Sequence, residues 1–277
     1  MAKPNCTITQ QKLHRINVHN RRCGFFSDFL TCLAGIMYCY DNGYNFYVDW
    51  RSELYSPMDH RGCGEYNLFD KYFYQEYNNL SDEHSYDFIH NLHTPYGYYF
   101  PIAYCHINPK SVYSALYHPS YLLKELEILN SEFFSKLNKN YFQGKKVLGV
   151  HKRGTDHGLH GPIIPDEKYI NEINSIYKHN NFDKIFLITD DERSFNFFTK
   201  ELGDDMISTD SFRSSHAIHL TSNPGVEVIA EQVIRDAFIL SQTNYKLITR
   251  SNVSAFSLLC NLQQDNFKFL DDNIIYV

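Results

Sequence analysis

The chain has 277 residues, enough for one large domain or two smaller ones with a substantial core. Its formal net charge is −6 and it contains no basic run. We therefore expect no nucleic-acid partner, because such a partner requires a concentrated positive surface. The seven cysteines form no Cys-X-X-Cys pair, which argues against a zinc knuckle or a thioredoxin-like site.

The N-terminus has no apolar signal core, and no segment reaches the ~18 apolar residues that a membrane span needs. We therefore expect a cytoplasmic protein without a transmembrane segment, and peripheral contact with a membrane surface stays open. The high aromatic content, 22 Tyr and 21 Phe, is typical of an AT-rich genome or of a surface that packs against sugars.

The first predicted unit is a helix followed by a strand. Apolar residues recur at helical spacing over 28–40, after a tight loop at Gly24-Phe25-Phe26, and a turn at 41–43 leads to a strand over 45–50. This order begins an α/β unit. The irregular segment 51–109 predicts functional loops, and a helix is expected over 120–137.

The second half alternates strands and helices, which predicts a doubly wound parallel sheet. Strands are expected over 146–151, 184–189, 206–208 and 245–249, and helices over 166–179, 194–202, 226–241 and 253–262. The break in the pattern at 138–144 predicts a domain boundary. We therefore divide the chain into an acceptor-side α/β domain, 1–143, and a Rossmann-like domain that binds a nucleotide sugar, 144–277.

Polar residues follow three of these strands at their carboxyl ends, where an open parallel sheet binds its ligands. Arg153 lies after the first strand, and its guanidinium can bind two phosphate oxygens at once. Ser251 and Asn252 follow the last strand and open a helix, whose free amides and dipole suit a phosphate. The same serine also fits a simple N-cap.

Residues 151–156, His-Lys-Arg-Gly-Thr-Asp, resemble the first motif of the superfamily of α1,6-fucosyltransferases, NodZ and protein O-fucosyltransferases. The strand and Thr-Asp-Asp at 187–191 are similar to its second motif. The segments 236–241 and 251–256 are similar to its third, and 24–28 with 47–50 are similar to its glycine-rich loop and following strand. The resemblance spans most of the chain.

The resemblance implies a GT-B-like fold with two Rossmann-like domains, GDP-fucose as the donor substrate, inversion at the anomeric carbon, no metal and no cofactor. It implies that His151 and Asp236 hold the guanine and that Arg153 and Ser251 contact the β-phosphate. The full set of residues expected to bind or shape the donor site is Gly24, Phe25, His151, Arg153, Asp156, Asp190, Asp191, Asp236, Ser251 and Asn252.

This sequence departs from the family in positions that bear on catalysis. Gly154 replaces a second arginine, His157 replaces a lysine, and the glutamate proposed as base in core fucosyltransferases has no match. We expect Arg153 to offset the charge of the leaving diphosphate. For the general base, His157 and His160 are candidates beside Asp156 and Asp190. A metal site at His157 and His160 is the minor alternative.

The sequence predicts transfer of fucose to a hydroxyl of a glycan or glycoconjugate. One alternative keeps the fold and changes the nucleotide-sugar donor. Another is a non-catalytic carbohydrate-binding protein, and a metal-dependent hydrolase is more remote. The Tyr- and Asn-rich segment 62–109 is expected to form the acceptor pocket, but the acceptor and the linkage are not encoded in any recognisable pattern.

Overall fold

The computed structural model describes residues 13–19, 23–58, 64–77, 87–89, 109–137, 140–154, 163–215 and 225–271. None of the helices in these ranges combines the length and apolar character that a membrane span requires. The elements in chain order are β1 (Leu13–His19), α1 (Phe25–Asp41), β2 (Asn45–Arg51), α2 (Leu68–Tyr72), β3 (Asp87–Ile89), α3 (Pro109–Glu125), α4 (Glu132–Lys136), β4 (Val147–Lys152), α5 (Asp166–Asn180), β5 (Lys184–Thr189), α6 (Glu192–Leu202), β6 (Met206–Ile207), α7 (Val226–Ser241), β7 (Tyr245–Ile248), α8 (Asn252–Cys260) and β8 (Phe267–Phe269).

The C-terminal half is built on a five-stranded sheet in the order β6-β5-β4-β7-β8, with every neighbouring pair parallel. Successive side chains of a strand point to opposite faces, so a strand covered on both faces is apolar throughout. Leu148 and Val150 of β4 pack in the cluster that contains residues of α5 and α6. Val147 packs in the cluster that contains residues of α7 and α8. Helices on both faces confirm the predicted doubly wound sheet.

The N-terminal half contains a smaller parallel sheet of three strands in the order β2-β1-β3. Helix α1 connects β1 to β2 and packs closely on β1, because a Cβ at Gly35 would lie 2.7 Å from the side chain of Ile16. An α/β fold with a parallel sheet in each half is thus confirmed, although the N-terminal sheet is short. The division of the chain at 143/144 stays a prediction.

Some predicted elements are wrong in detail. The single helix expected over 120–137 is two helices, α3 and α4, because the chain turns between them with Glu127 in the left-handed region at φ 51°. Ser131 then begins α4 by accepting the Phe134 amide. Helix α1 begins at Phe25, so the predicted glycine loop is in fact the helix start, with Gly24 as its N-cap.

Contacts between the two halves bring the start of α1 beside the start of α8. The rings of Phe26 and Phe256 stack with their centroids 4.3 Å apart, and both side chains lie in one core cluster that includes residues of both halves. Lys71 Nζ lies 2.8 Å from Glu227 Oε1, which ties the N-terminal half to the first turn of α7. These contacts place the beginnings of α1, α7 and α8 around a common space.

Candidate functional site

A cavity of about 420 Å³ lies where the C-terminal sheet changes direction. The chain runs outward from β4 to β5 and β6, then returns to β7 on the other side of β4, so β4 and β7 flank the topological switch point. In open α/β sheets, ligands bind beyond the carboxyl ends of the strands at this point. The cavity is lined there by His151 at the end of β4, by Arg153 directly after β4 and by Ser251 after β7.

The structure brings most of the predicted donor-site residues together around this one cavity. They come from both halves of the chain and from elements far apart in the sequence. The predicted residues that line it are Gly24, Phe25, His151, Arg153, Asp190, Asp236, Ser251 and Asn252. The cavity has the volume of a small-molecule site, and its walls combine apolar side chains with a few polar groups, as such sites do.

Two helices begin at the cavity and point their positive ends toward it. Helix α8 begins after Ser251, whose hydroxyl accepts the Ser254 amide at 3.0 Å, so the predicted N-cap is confirmed. Helix α1 begins after Gly24, and no side chain in the described part of the chain caps it. Among the described residues, a Cβ at Gly24 would meet no atom within 4 Å. Together, the two helix starts favour an anionic ligand.

Arg153 follows β4 and is half-buried in the cavity wall. The next residue must be small, because a Cβ at Gly154 would lie 2.4 Å from the Cβ of Asp191. The Gly154 amide donates to Asp190 Oδ1 at 2.9 Å, which fixes the course of the chain after Arg153. The neighbouring Lys152 instead forms a buried ion pair with another element, the start of α5.

Asp236 is the mostly buried carboxylate of the site and lies on α7. Thr209 Oγ1 donates to its Oδ1 at 2.7 Å. Burial raises the pKa of Asp236 above its usual range, and hydrogen bonds from Ser211 and Thr209 counteract this only in part. The charges of Arg235 and Arg213 act in the same direction as those hydrogen bonds. The carboxylate can therefore accept hydrogen bonds from a ligand in a largely water-free setting.

Three neighbours of Asp236 on the same helix were not among the predicted site residues. Ile229, Gln232 and Val233 also line the cavity, and their spacing places them on one face of α7 with Asp236. The loop after β6 was also not predicted to belong to the site, and there the Phe212 amide donates to Gln232 Oε1 at 2.9 Å. The spacing of the α7 residues was the available signal, because residues three, four and seven apart share a helix face.

The remaining predicted site residues lie elsewhere or outside the described ranges. Asp191 is not among the cavity residues, since its carboxylate accepts the Arg193 amide at 3.1 Å and so caps α6. Asp156, His157 and His160 lie outside the described residues. In the described ranges, no group of three or more His, Cys, Asp or Glu side chains could hold a metal ion.

No family model matches the chain, and no curated protein matches its sequence. Among solved structures, the chain is similar to NodZ alpha-1,6-fucosyltransferase soaked with GDP-fucose, at 17% identity and a TM-score of 0.48, over 90% of this chain and 93% of that chain. It is similar to fucosyltransferase NodZ from Bradyrhizobium at 17% identity and a TM-score of 0.47, over 89% of this chain and 92% of that chain. It is similar to POFUT1 in its apo form at 7% identity and a TM-score of 0.40, over 92% of this chain and 96% of that chain.

Proposed function

We propose that this protein is an inverting glycosyltransferase that moves fucose from GDP-fucose to a hydroxyl of a glycan or glycoconjugate, without a metal. The observation that carries the proposal is the cavity itself. A guanidinium, two helix starts and a buried carboxylate converge there at the switch point of a doubly wound sheet. A nucleoside diphosphate has the matching features, a strongly anionic part and a base with N–H groups.

The diphosphate is assigned to the side of the cavity formed by Arg153 and the start of α8. Phosphate oxygens accept charge-assisted hydrogen bonds from a guanidinium and from helix-terminal amides. When the sugar–phosphate bond breaks, negative charge builds on the departing diphosphate. Donors already in place around that charge lower the barrier without having to reorganise. This arrangement offers electrostatic stabilisation from the protein alone, which supports the proposal of metal independence.

The base is assigned to the side formed by α7 and the loop after β6. Guanine presents adjacent N–H donors on one edge, and the Asp236 carboxylate accepts such donors. Phe212 and Val233 line the same region and offer apolar contact to a planar base. His151, also in the cavity wall, supplies a polar group that the resemblance assigns to guanine. The combination favours GDP over UDP or CDP.

The acceptor hydroxyl must lose its proton as it attacks the anomeric carbon. The candidate bases remain those of the sequence, His157, His160 and Asp156, with Asp190 as a further one. Among these, Asp190 lies in the cavity wall, but one of its oxygens already accepts the Gly154 amide. We therefore retain a histidine after the first motif as the proposed base.

Binding of the nucleotide is tested by thermal stabilisation with GDP, UDP, CDP and GDP-fucose, since a ligand that binds only the folded state raises its stability. We expect GDP and GDP-fucose to stabilise the protein and UDP and CDP to do so weakly. Transfer is then tested by incubating GDP-fucose with a glycan acceptor array and detecting products by mass spectrometry. Stabilisation by UDP but not by GDP would contradict the proposal, as would sugar binding with no nucleotide response.

The role of Arg153 is tested by Arg153→Ala. Loss of its charge-assisted hydrogen bonds should weaken GDP binding by about 10- to 100-fold and abolish transfer, with the fold intact. Arg193→Ala is the matched control, because Arg193 is exposed at the start of α6, outside the cavity. Normal turnover in Arg153→Ala would remove this residue from the mechanism.

A further inference from the structure

Three buried side chains at the start of α8 form a connected set of hydrogen bonds. The Ser254 amide donates to Ser251 Oγ at 3.0 Å, and Ser251 Oγ donates to Ser254 Oγ at 3.2 Å. Ser254 Oγ lies 2.7 Å from His151 Nδ1, and Ser251 Oγ lies 3.3 Å from the same nitrogen. The exposed fractions are 6% for His151, 3% for Ser251 and 0% for Ser254, so none of these bonds is exchanged easily for water.

The state of Nδ1 follows from the hydrogens that this set must place. The two serine hydroxyls carry one hydrogen each, and one of them donates to the other hydroxyl. Among the described residues, the acceptor left for the second hydrogen is His151 Nδ1, and Ser254 Oγ is the closer of the two donors to it. If Nδ1 carried a proton instead, one of the two hydroxyl hydrogens would be buried without an acceptor in this set, which proteins avoid.

We propose that Ser254 is a positioning residue that fixes the tautomer of His151, with Nδ1 as acceptor and the hydrogen on Nε2. In a neutral imidazole one ring nitrogen donates and the other accepts, and the hydrogen bond to one decides the state of the other. His151 then presents an N–H donor to a ligand in the cavity that it lines. The ligand atom it selects is an oxygen acceptor, either a base carbonyl or a phosphate oxygen.

This role differs from helix capping. Ser251 performs the capping, since its hydroxyl accepts the helix amide. Ser254 lies inside α8, and its hydroxyl contacts only Ser251 and His151 among the described residues. Removing that hydroxyl leaves the cap in place and removes the closer donor to Nδ1, so that only the longer contact from Ser251 Oγ, at 3.3 Å, remains. The ring can then take the other tautomer, which turns a lone pair toward the ligand oxygen.

The tautomer is measured by NMR on protein labelled with ¹⁵N-histidine, at pH 8 and without ligand, with His151→Gln used to assign the signals. We expect wild-type protein to show an unprotonated Nδ1 and a protonated Nε2 at His151, and Ser254→Ala to show a mixed or inverted tautomer. The matched control is Ser257→Ala. Ser257 is also fully buried on α8, but its hydroxyl donates to the Ser254 carbonyl oxygen at 2.8 Å instead of to the histidine.

Binding is measured with guanosine and with inorganic pyrophosphate as separate probes, and folding by circular dichroism. We expect Ser254→Ala to weaken one of them by about 5- to 10-fold, while Ser257→Ala leaves both unchanged. Loss for guanosine assigns the acceptor to the base, and loss for pyrophosphate assigns it to the phosphates. A protonated Nδ1 in the wild-type protein overturns the proposal even if Ser254→Ala does not fold. An unchanged tautomer and affinity in folded Ser254→Ala also overturn it.

The choice of ligand in these experiments rests on the proposed function, but the tautomer does not. A protein with the expected tautomer that binds neither probe nor GDP refutes the nucleotide assignment alone. A protein that binds GDP and has the opposite tautomer refutes only the role of Ser254.

Discussion

Replacing Lys246 with methionine should stabilise the protein at neutral pH. Lys246 lies in β7 with 0% of its surface exposed. Its Nζ donates to the Thr243 carbonyl oxygen at 3.4 Å. When the Asn266 side-chain amide is oriented so that its nitrogen donates to the Gln263 carbonyl oxygen, the amide oxygen accepts a hydrogen bond from Lys246 Nζ at 3.2 Å. Among the described residues, no carboxylate forms an ion pair with it. Burial therefore lowers the pKa of Lys246 from 10.5 to about 8.

The magnitude follows from linkage between protonation and folding. At ~1.4 kcal/mol per pH unit, the fall from 10.5 to about 8 corresponds to about 3 kcal/mol against folding. This penalty is fully present below pH 8, where the unfolded chain holds the proton more tightly. It disappears as the pH rises toward 10.5, where the unfolded lysine also loses its proton. Loss of the hydrogen bonds from Nζ costs about 1 kcal/mol, so Lys246→Met should gain about 2 kcal/mol at pH 7.

The assay is urea unfolding at pH 7 and pH 10, followed by circular dichroism and by the fluorescence of Trp50, the single tryptophan, which is fully buried. Lys200→Met on the exposed face of α6 is the control and should change stability by less than about 0.5 kcal/mol. Burial also raises the pKa of the nearby Cys260 thiol, which destabilises both proteins at high pH, so the two proteins are compared as a difference at each pH. A variant less stable than wild type at pH 7, or a difference independent of pH, would refute the reasoning.

Two further predictions concern the cavity. In Gly154→Ala the added Cβ meets Asp191 at 2.4 Å and displaces the chain after β4, so the variant should lose about 1–3 kcal/mol of stability in urea unfolding and bind GDP more weakly by calorimetry. Full affinity in this variant would show that the close approach does not position Arg153. Because burial raises the pKa of Asp236, its carboxylate protonates at a higher pH than an ordinary aspartate as the pH falls, so GDP affinity should decline there. Asp236→Asn should bind GDP weakly at every pH and should not show this decline in affinity at acidic pH. The same decline in both proteins would exclude Asp236 as its cause.

The C-terminal sheet could be predicted because its signals are local. Its strands are short apolar runs, and β5 over Lys184–Thr189 and α7 over Val226–Ser241 have the predicted bounds. Strand β8, Phe267–Phe269, was missed because three residues after a polar segment give no periodic pattern. Strand β1, Leu13–His19, was missed because arginine and asparagine occupy one of its faces and a histidine is buried on the other.

Part of the candidate site could be predicted because its residues lie at or next to the ends of predicted strands. His151 ends a predicted strand, and Arg153 and Ser251 follow predicted strands, so the rule that ligands bind at strand ends locates them without a structure. Phe212 could not be located in this way, because its place in the cavity depends on a hydrogen bond to Gln232 on a helix that comes later in the chain. At Gly154 the comparison with the family motif indicates only that a positively charged side chain is absent. The structure gives the physical reason, because the close contact with Asp191 leaves no room for any side chain at this position.

The stacking of Phe26 on Phe256 has a consequence for how a ligand enters the cavity. The two rings belong to one apolar cluster shared by both halves, so separating the two halves would expose that cluster to water. Small movements of side chains at the cavity entrance therefore cost less free energy than separation of the two halves. The same sharing means that residues 144–277 alone would carry an uncovered apolar surface, and a nucleotide-binding fragment should not be obtained by cutting at the predicted boundary.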